Sequence, residues 1–372
     1  MSVRKRTWKT LKGEQREAWI VDYIDGQGDR HIETFNRKRD ADDYHSTVRV
    51  DVGKGVHVAP NKSLTVRETA DLWIKRVEAD GRERTTVQQY RQHIDIHIIP
   101  RLGSLKIAQL TTDTIEKFRD DLLADMSRAL ARKVLTSLKS ILKVAKRSDV
   151  AAGVSIKRDK RDKSKIETGR DMPTPAEVKR LVNAAKPGRQ LALVLVVATC
   201  GLRASELRGL RWADIDLKTG ELHVRQRADR YGKIGAPKTE TSVRKLPLAR
   251  EAVAALREWK LRCPLGELAF PTSTGRIEHH ANMLRSLEGL QVAAGVVDKE
   301  GKAKYGLHAF RHFFASWCLN PREAGGRGLQ AIEVQRLLGH SSIVMTMDIY
   351  GHLFPRTHDD KELAAASAAL LA

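Results

Sequence analysis

Cysteine is scarce. Cys200, Cys263 and Cys318 are few, odd in number and far apart, which excludes a disulfide framework and any zinc-ligand spacing and points to a reducing compartment. Long apolar runs are also missing. The longest, LALVLVVA from Leu191 to Ala198, is well short of the roughly 20 residues a membrane-crossing helix needs. The basic start MSVRKRTWKT is not followed by the apolar stretch of a signal peptide, so a cytoplasmic protein with no membrane partner is expected. Negative charge is in deficit: 67 Lys and Arg face 46 Asp and Glu, for a net charge of +21 and a pI of 10.0. That imbalance points to a polyanionic partner, most often nucleic acid. No carboxylate cluster offers a metal site. What is present, 41% hydrophobic and 30% charged residues in a chain of 372, excludes wholesale disorder and is enough for two or three domains.

The pattern divides the chain. In residues 1–60, AWIVDYI and RHIETF alternate around the turn DGQGD, a helical stretch runs from about Lys38 to Val50, and GKGVHVAPNKS reads as a linker. Residues 63–155 read as a four-helix bundle. Helix starts are expected at Thr65 with Glu68, Thr86 with Gln89, Asp113 with Glu116, and Ser127. In the last of these helices Leu130, Val134, Leu138 and Ile141 recur at helical spacing. Residues 156–170 form a basic linker. The stretch 128–170 carries 14 Lys or Arg against four Asp or Glu, and we read it as a strap that tracks phosphates. Residues 171–372 form a mixed domain. Thr174, Pro175 and Glu177 open a helix, LALVLVVATCGL is a buried helix, WADIDLKTGELHVRQ is a hairpin, and APKTETSVRKLPL is a second pair of short strands. Further helices are expected from Glu251, around His308 and after Ser341, and the tail KELAAASAALLA is helical by composition. The expected class is a multidomain α+β protein: a small sheet-plus-helix module, a helical bundle, and a mainly helical domain with a small sheet.

Four segments of the last domain, TCGLRASEL, APKTETSVRKLPL, LHAFRHFFASW and LLGHSSIVMTMDIYGH, supply Arg203, Lys238, His308, Arg311, His340 and Tyr350. Two guanidiniums, an ammonium, two imidazoles and a phenol suit a phosphodiester, whose non-bridging oxygens pair with arginine forks. A phenol can be a covalent nucleophile if a base or a positive field activates it. His308 and Arg311 share a helix face. By spacing with Ile343 and Met347, Tyr350 is a core residue; Gly351 directly after it suggests a helix end and a mobile position.

Several decoys fail on chemistry. GKIGAPKT approaches a phosphate loop, but Pro237 stands where the second glycine belongs and has no N–H to donate. His308 and His312 have zinc-pair spacing without the glutamate, and an arginine between them would repel a dication. His312 is therefore expected to be a buried, hydrogen-bonded structural histidine, and Glu206 a structural partner.

G-L-R-x-S-E-L, H-x-x-R-H, L-G-H-S-S and the following Y-G-H, in this order and spacing, resemble the tyrosine recombinase (phage integrase) family. More loosely, residues 63–155 resemble that family's core-binding domain, and residues 1–60 the three-stranded, one-helix arm-binding module of its larger members. The resemblance implies a site-specific DNA recombinase that integrates and excises a mobile element. Arg203 and Arg311 would clamp the scissile phosphate, and Tyr350 would attack it to leave a 3′-phosphotyrosyl link. Lys238, on a β-hairpin, would protonate the leaving 5′-oxygen. His308 would assist proton transfer and His340 would hydrogen-bond a phosphate oxygen. The implied partners are double-stranded DNA and the protein itself, as a tetramer on paired sites, with an excisionase or DNA-bending host protein as further candidates. No cofactor, metal or ATP is required. The alternatives are a type IB topoisomerase-like enzyme and an inactive DNA-binding regulator. PREAGGRGLQA, Pro321 to Ala331, departs from the family pattern and is expected to form a surface loop.

Overall fold

A computed structural model describes residues 1–9, 14–24, 28–53, 63–158, 166–237, 239–353 and 369. The chain divides into two compact units, residues 1–163 and 164–372.

The first unit opens with three antiparallel strands in sequential order: β1 (Ser2–Lys9), β2 (Gln15–Ile24) and β3 (Arg30–Phe35). Helix α1 (Lys38–Gly53) lies against them. Alternation along β2 sends Val21 and Tyr23 to a small core with Ala41 and Val48 of α1. A separate core belongs to the helices that follow. These are α2 (Val66–Ala79), α3 (Arg84–Gln92), which runs through a π-helical stretch His93–Ile98 into the short α4 (Ile99–Leu102), then α5 (Thr112–Asp125) and α6 (Arg128–Val144). Thr65 and Glu68 form a reciprocal capping box, and Ser127 caps α6 through the Leu130 amide.

Two expected starts are corrected. Helix α3 begins at Arg84 rather than after Thr86, with Glu83 at the cap position but not capping through its side chain. Helix α5 is capped by Thr111, which accepts from the Thr114 amide, rather than by Asp113. Leu110 before this cap and Ile115 one turn in are both buried in the same cluster, a hydrophobic staple that fixes the entry two residues earlier. The linkers GKGVHVAPNKS and KRDKRDKSK lie largely outside the described residues.

The second unit begins with α7 (Pro175–Ala184), opened by the Thr174–Glu177 capping box with Pro175 at the first helical position. Helix α8 (Arg189–Cys200) is buried almost all round, as its uninterrupted apolar run requires. Helix α9 (Ala204–Arg208) follows a left-handed Gly201. Strands β4 (Ile215–Asp216) and β5 (Glu221–Val224) make the expected hairpin, while β6 (Arg227–Ala228) and β7 (Ile234–Gly235) make a separate two-stranded ribbon. Among the described residues APKTETSVRKLPL forms one strand rather than two: β8 (Arg244–Pro247) pairs back onto β5 with Leu222 opposite Leu246. Before it, Glu240–Ser242 make a 3₁₀ turn that points Ser242 inward. The remaining helices are α10 (Arg250–Arg262), α11 (His280–Ala293), α12 (Leu307–Leu319), α13 (Ala331–Leu338) and α14 (Ile343–Tyr350).

The Pro321–Ala331 segment forms a loop as far as Gln330, Ala331 being the first residue of α13, and the loop is strapped to the end of α12. The Arg327, Gly328 and Leu329 amides donate to the Trp317, Asn320 and Cys318 carbonyls at 3.0, 2.7 and 2.8 Å. This satisfies carbonyls the helix end would leave orphaned. The C-terminal tail, apart from Ala369, lies outside the described residues.

Candidate active site

The site is built where the ends of α8 and α13 meet α12. Each of these two helices stops at a glycine in the left-handed region, Gly201 with φ 58° and Gly339 with φ 64°. A helix end leaves carbonyls without partners and carries partial negative charge. Arginines supply the missing donors. Three consecutive carbonyls at the end of α13 each accept from a different guanidinium: Leu337 from Arg244 Nε at 2.7 Å, Leu338 from Arg311 Nη2 at 2.6 Å, and Gly339 from Arg203 Nη2 at 2.9 Å. Arg311 also donates through Nη1 to the Gly201 carbonyl at 2.7 Å, which ties it to α8.

One carboxylate serves this group. Glu206 is 3% exposed; it accepts from Arg203 at 2.7 Å and from both terminal nitrogens of Arg244 at 3.2 and 2.8 Å. Burial opposes its ionisation, but the hydrogen bonds and charge of Arg244, with help from Arg203, hold it below the usual carboxylate range. Three guanidiniums facing one carboxylate leave a positive excess. Arg311 has carbonyl partners and no carboxylate among the hydrogen bonds described, although it is 2% exposed. Burial first, then the charges of Arg203 and Arg244, pull its pKa down to about 9. A buried cation cluster of this kind is favourable for an anion.

Imidazoles line the same place. His308 is exposed on the first turn of α12. His340 is 5% exposed and its Nδ1 lies 2.9 Å from Thr346 Oγ1. Burial and then the nearby arginines lower the pKa of His340 to about 4; that of His308 is lowered by partial desolvation of its ring against neighbouring side chains and by the charges of Arg311 and Arg203. Tyr350 ends α14 and is 1% exposed, packed with Phe314, Cys318, Val334 and Leu338. It is a core residue and a helix-terminal residue at once. Gly351 after it keeps a right-handed backbone and enters a single 3₁₀ turn. Burial raises the phenol's pKa, opposed by the charge of Arg311.

The structure therefore brings together Arg203, His308, Arg311, His340 and Tyr350 from three of the four segments. The profile of the phage integrase family matches residues 173–356, and that of the phage integrase N-terminal SAM-like domain matches residues 65–123. The chain belongs to the phage integrase family. It is 26% identical over 331 residues to a tyrosine recombinase XerC-like protein of Caldanaerobacter subterraneus subsp. tengcongensis, covering 79% of this chain and 81% of the relative. It is 26% identical over 368 residues to an integrase of Streptomyces ambofaciens, covering 91% and 90%. Its fold is similar to that of the Tn1549 transposon integrase in complex with a circular intermediate DNA, with a TM-score of 0.63 and 20% identity over 83% of this chain and 100% of the other. It is also similar to a lambda integrase tetramer bound to a Holliday junction, with a TM-score of 0.56 and 18% identity over 90% and 95%.

For this family member, Lys238 lies outside the described residues. Its alternatives on β8 are placed. Lys245 is exposed and 3.5 Å from Glu221, whereas Arg244 is buried in the arginine cluster. Sequence reasoning set Glu206 and His312 aside as structural. Glu206 is the shared counter-ion of two arginines. His312 Nδ1 lies 2.7 Å from the Tyr350 hydroxyl, and its ring stands edge-on to His308 with centroids 4.5 Å apart. The signal for His312 was its position one turn after His308, on the same helix face. Arg244 carried no comparable signal, because its partners are backbone carbonyls and a residue 38 positions away.

Proposed function

We infer that the protein is a site-specific DNA recombinase that cuts and rejoins DNA through a 3′-phosphotyrosyl intermediate, acting in integration and excision of a mobile element. The observation that carries this reading is a buried phenol packed in one cluster with Leu338, the residue whose carbonyl holds Arg311 of an arginine cluster with excess positive charge. In this reading Arg203 and Arg311 hold the non-bridging oxygens of the scissile phosphate, and His340 donates to one of them. His308 assists proton transfer. Lys238 protonates the leaving 5′-oxygen. The positive charge that the transition state needs comes from fixed side chains whose docking on helix ends is complete before DNA arrives. The free 5′-hydroxyl of a partner strand then attacks the phosphotyrosine, so the number of phosphoester bonds is conserved and no ATP is consumed.

Double-stranded DNA is the substrate, and four copies act on paired sites; the similar lambda integrase tetramer bound to a Holliday junction supports this reading. Residues 63–155 and 171–372 contact the core site, residues 1–60 a second sequence, and the basic stretch 128–170 tracks phosphates. The protein is cytoplasmic in this reading, and an excisionase or DNA-bending host protein are candidate accessories. The test is a core-site duplex nicked near the cleavage point. Wild type should accumulate a covalent protein–DNA adduct, and Tyr350→Phe should form none while binding DNA normally. An adduct that survives this substitution refutes the assignment.

A further inference from the structure

The Tyr350 hydroxyl must lose a proton to attack phosphorus, and it is 1% exposed, so bulk water is not at hand to take it. The side chain it touches is His312, 2.7 Å away through Nδ1, with ring centroids 5.7 Å apart. That distance is within hydrogen-bond reach of the proton to be moved, the first requirement of a general base. The groups facing His312 are His308 and Arg311 from its own helix, Tyr350 from α14, and Asp171 from the segment before α7. Burial, His308 and Arg311 hold the imidazole neutral, with a pKa of about 4, while Asp171 works the other way. A neutral ring whose Nε2 carries the hydrogen presents the Nδ1 lone pair to the phenol.

We propose that His312, through Nδ1, is the proton acceptor for Tyr350 in strand cleavage and returns that proton in religation. This rests on the recombinase reading above. In cleavage the Tyr350 O–H bond breaks, its proton passes to Nδ1, the phenolic oxygen bonds to phosphorus, and the bond from phosphorus to the 5′-oxygen breaks. The 5′-oxygen takes its proton from the general acid. Religation runs the same transfers backwards, and the imidazolium gives its proton to the departing phenolate. Substrate tunes the base. A phosphate anion paired with Arg311 offsets the positive field that depresses His312, so the ring gains proton affinity when there is a bond to cut.

The test measures single-turnover adduct formation on the nicked duplex across pH, with His312→Asn and His312→Phe, and with a fluorinated, more acidic tyrosine at position 350. Asparagine can still accept the phenol's hydrogen bond but cannot take its proton, and phenylalanine keeps the ring volume. Both variants should bind DNA like wild type and cleave about 10²–10⁴-fold more slowly near neutral pH. The deficit should shrink as pH rises, and shrink again with the fluorinated tyrosine, because a more acidic phenol needs less help. A deficit that is the same at every pH and with both tyrosines makes His312 a merely positioning group and overturns the proposal. Cleavage at or above the wild-type rate overturns it too. Failure of the recombinase reading is distinct: wild type itself would then give no adduct.

Discussion

Gly201 sits where three requirements meet, and replacing it with alanine tests the site's construction. Its φ of 58° is in the left-handed region, which costs a residue with a Cβ about 1–2 kcal/mol. A Cβ there would lie 2.4 Å from Cδ1 and 3.0 Å from Cγ of Phe314. Phe314 is 2% exposed and cannot swing into solvent, so overpacking adds about 1–3 kcal/mol. Together Gly201→Ala should cost about 2–5 kcal/mol, and lower the melting temperature of this unit by roughly 4–20 °C at its size. Activity should fall more than stability accounts for, because the Gly201 carbonyl anchors Arg311 and Phe314 packs in the cluster that holds Tyr350. Denaturant unfolding of the wild type, Gly201→Ala, Phe314→Leu and the double variant separates the two parts. In the Phe314→Leu background the glycine substitution should cost less, by the overpacking share, leaving the backbone share. A cost below about 0.5 kcal/mol, the range of neutral surface changes, refutes the reasoning, as does an equal cost in both backgrounds.

Two more outcomes are expected. If Lys238 is the acid, Lys238→Ala should cleave normal DNA very slowly but cleave DNA with a 5′-bridging sulfur nearly as fast as wild type does; equal impairment on both substrates would make it a binding residue, with Lys233 next in line. His312 and His340 have folded pKa values of about 4 against about 6.5 when unfolded, so their stabilisation is complete above pH 6.5 and is lost as pH falls towards 4, by at most about 3 kcal/mol each. Unfolding measured from pH 7.5 to 4.5 should show this acid slope, and His340→Gln should flatten it; an unchanged slope would show that His340 is not held neutral.

Local chemistry was legible wherever one side chain decides a backbone event. Thr65, Ser127 and Thr174 cap helices because a hydroxyl three residues before a free amide has few other options. Thr86 and Asp113 misled because Glu83 and Thr111 stood nearby, and the choice fell to burial of residues such as Leu110 and Ile115 that pack against distant helices. Within the candidate site, the residue types were visible in four short segments, but the arrangement was not. Backbone carbonyls have no letter in a sequence, so the docking of Arg203, Arg244 and Arg311 on one helix end leaves no pattern to read. Tyr350 carried two signals, core spacing and a helix-ending glycine; it is buried at the end of α14, but Ile343 and Met347, which set the spacing, are exposed, and the buried face it shares is that of Thr346.

The end of α13 also behaves as a shared fulcrum. Three guanidiniums are fastened to three successive carbonyls, Leu337 to Gly339, and only His340, Ser341 and Ser342 separate that point from the helix that carries Tyr350. A lever with its load and its pivot this close transmits displacement in both directions. If α14 is pulled outward, the carbonyls shift and the arginines lose register together; if an anion draws the arginines inward, the same backbone tightens under the tyrosine. Clamp and nucleophile thus share one anchor point, separated by three residues of chain.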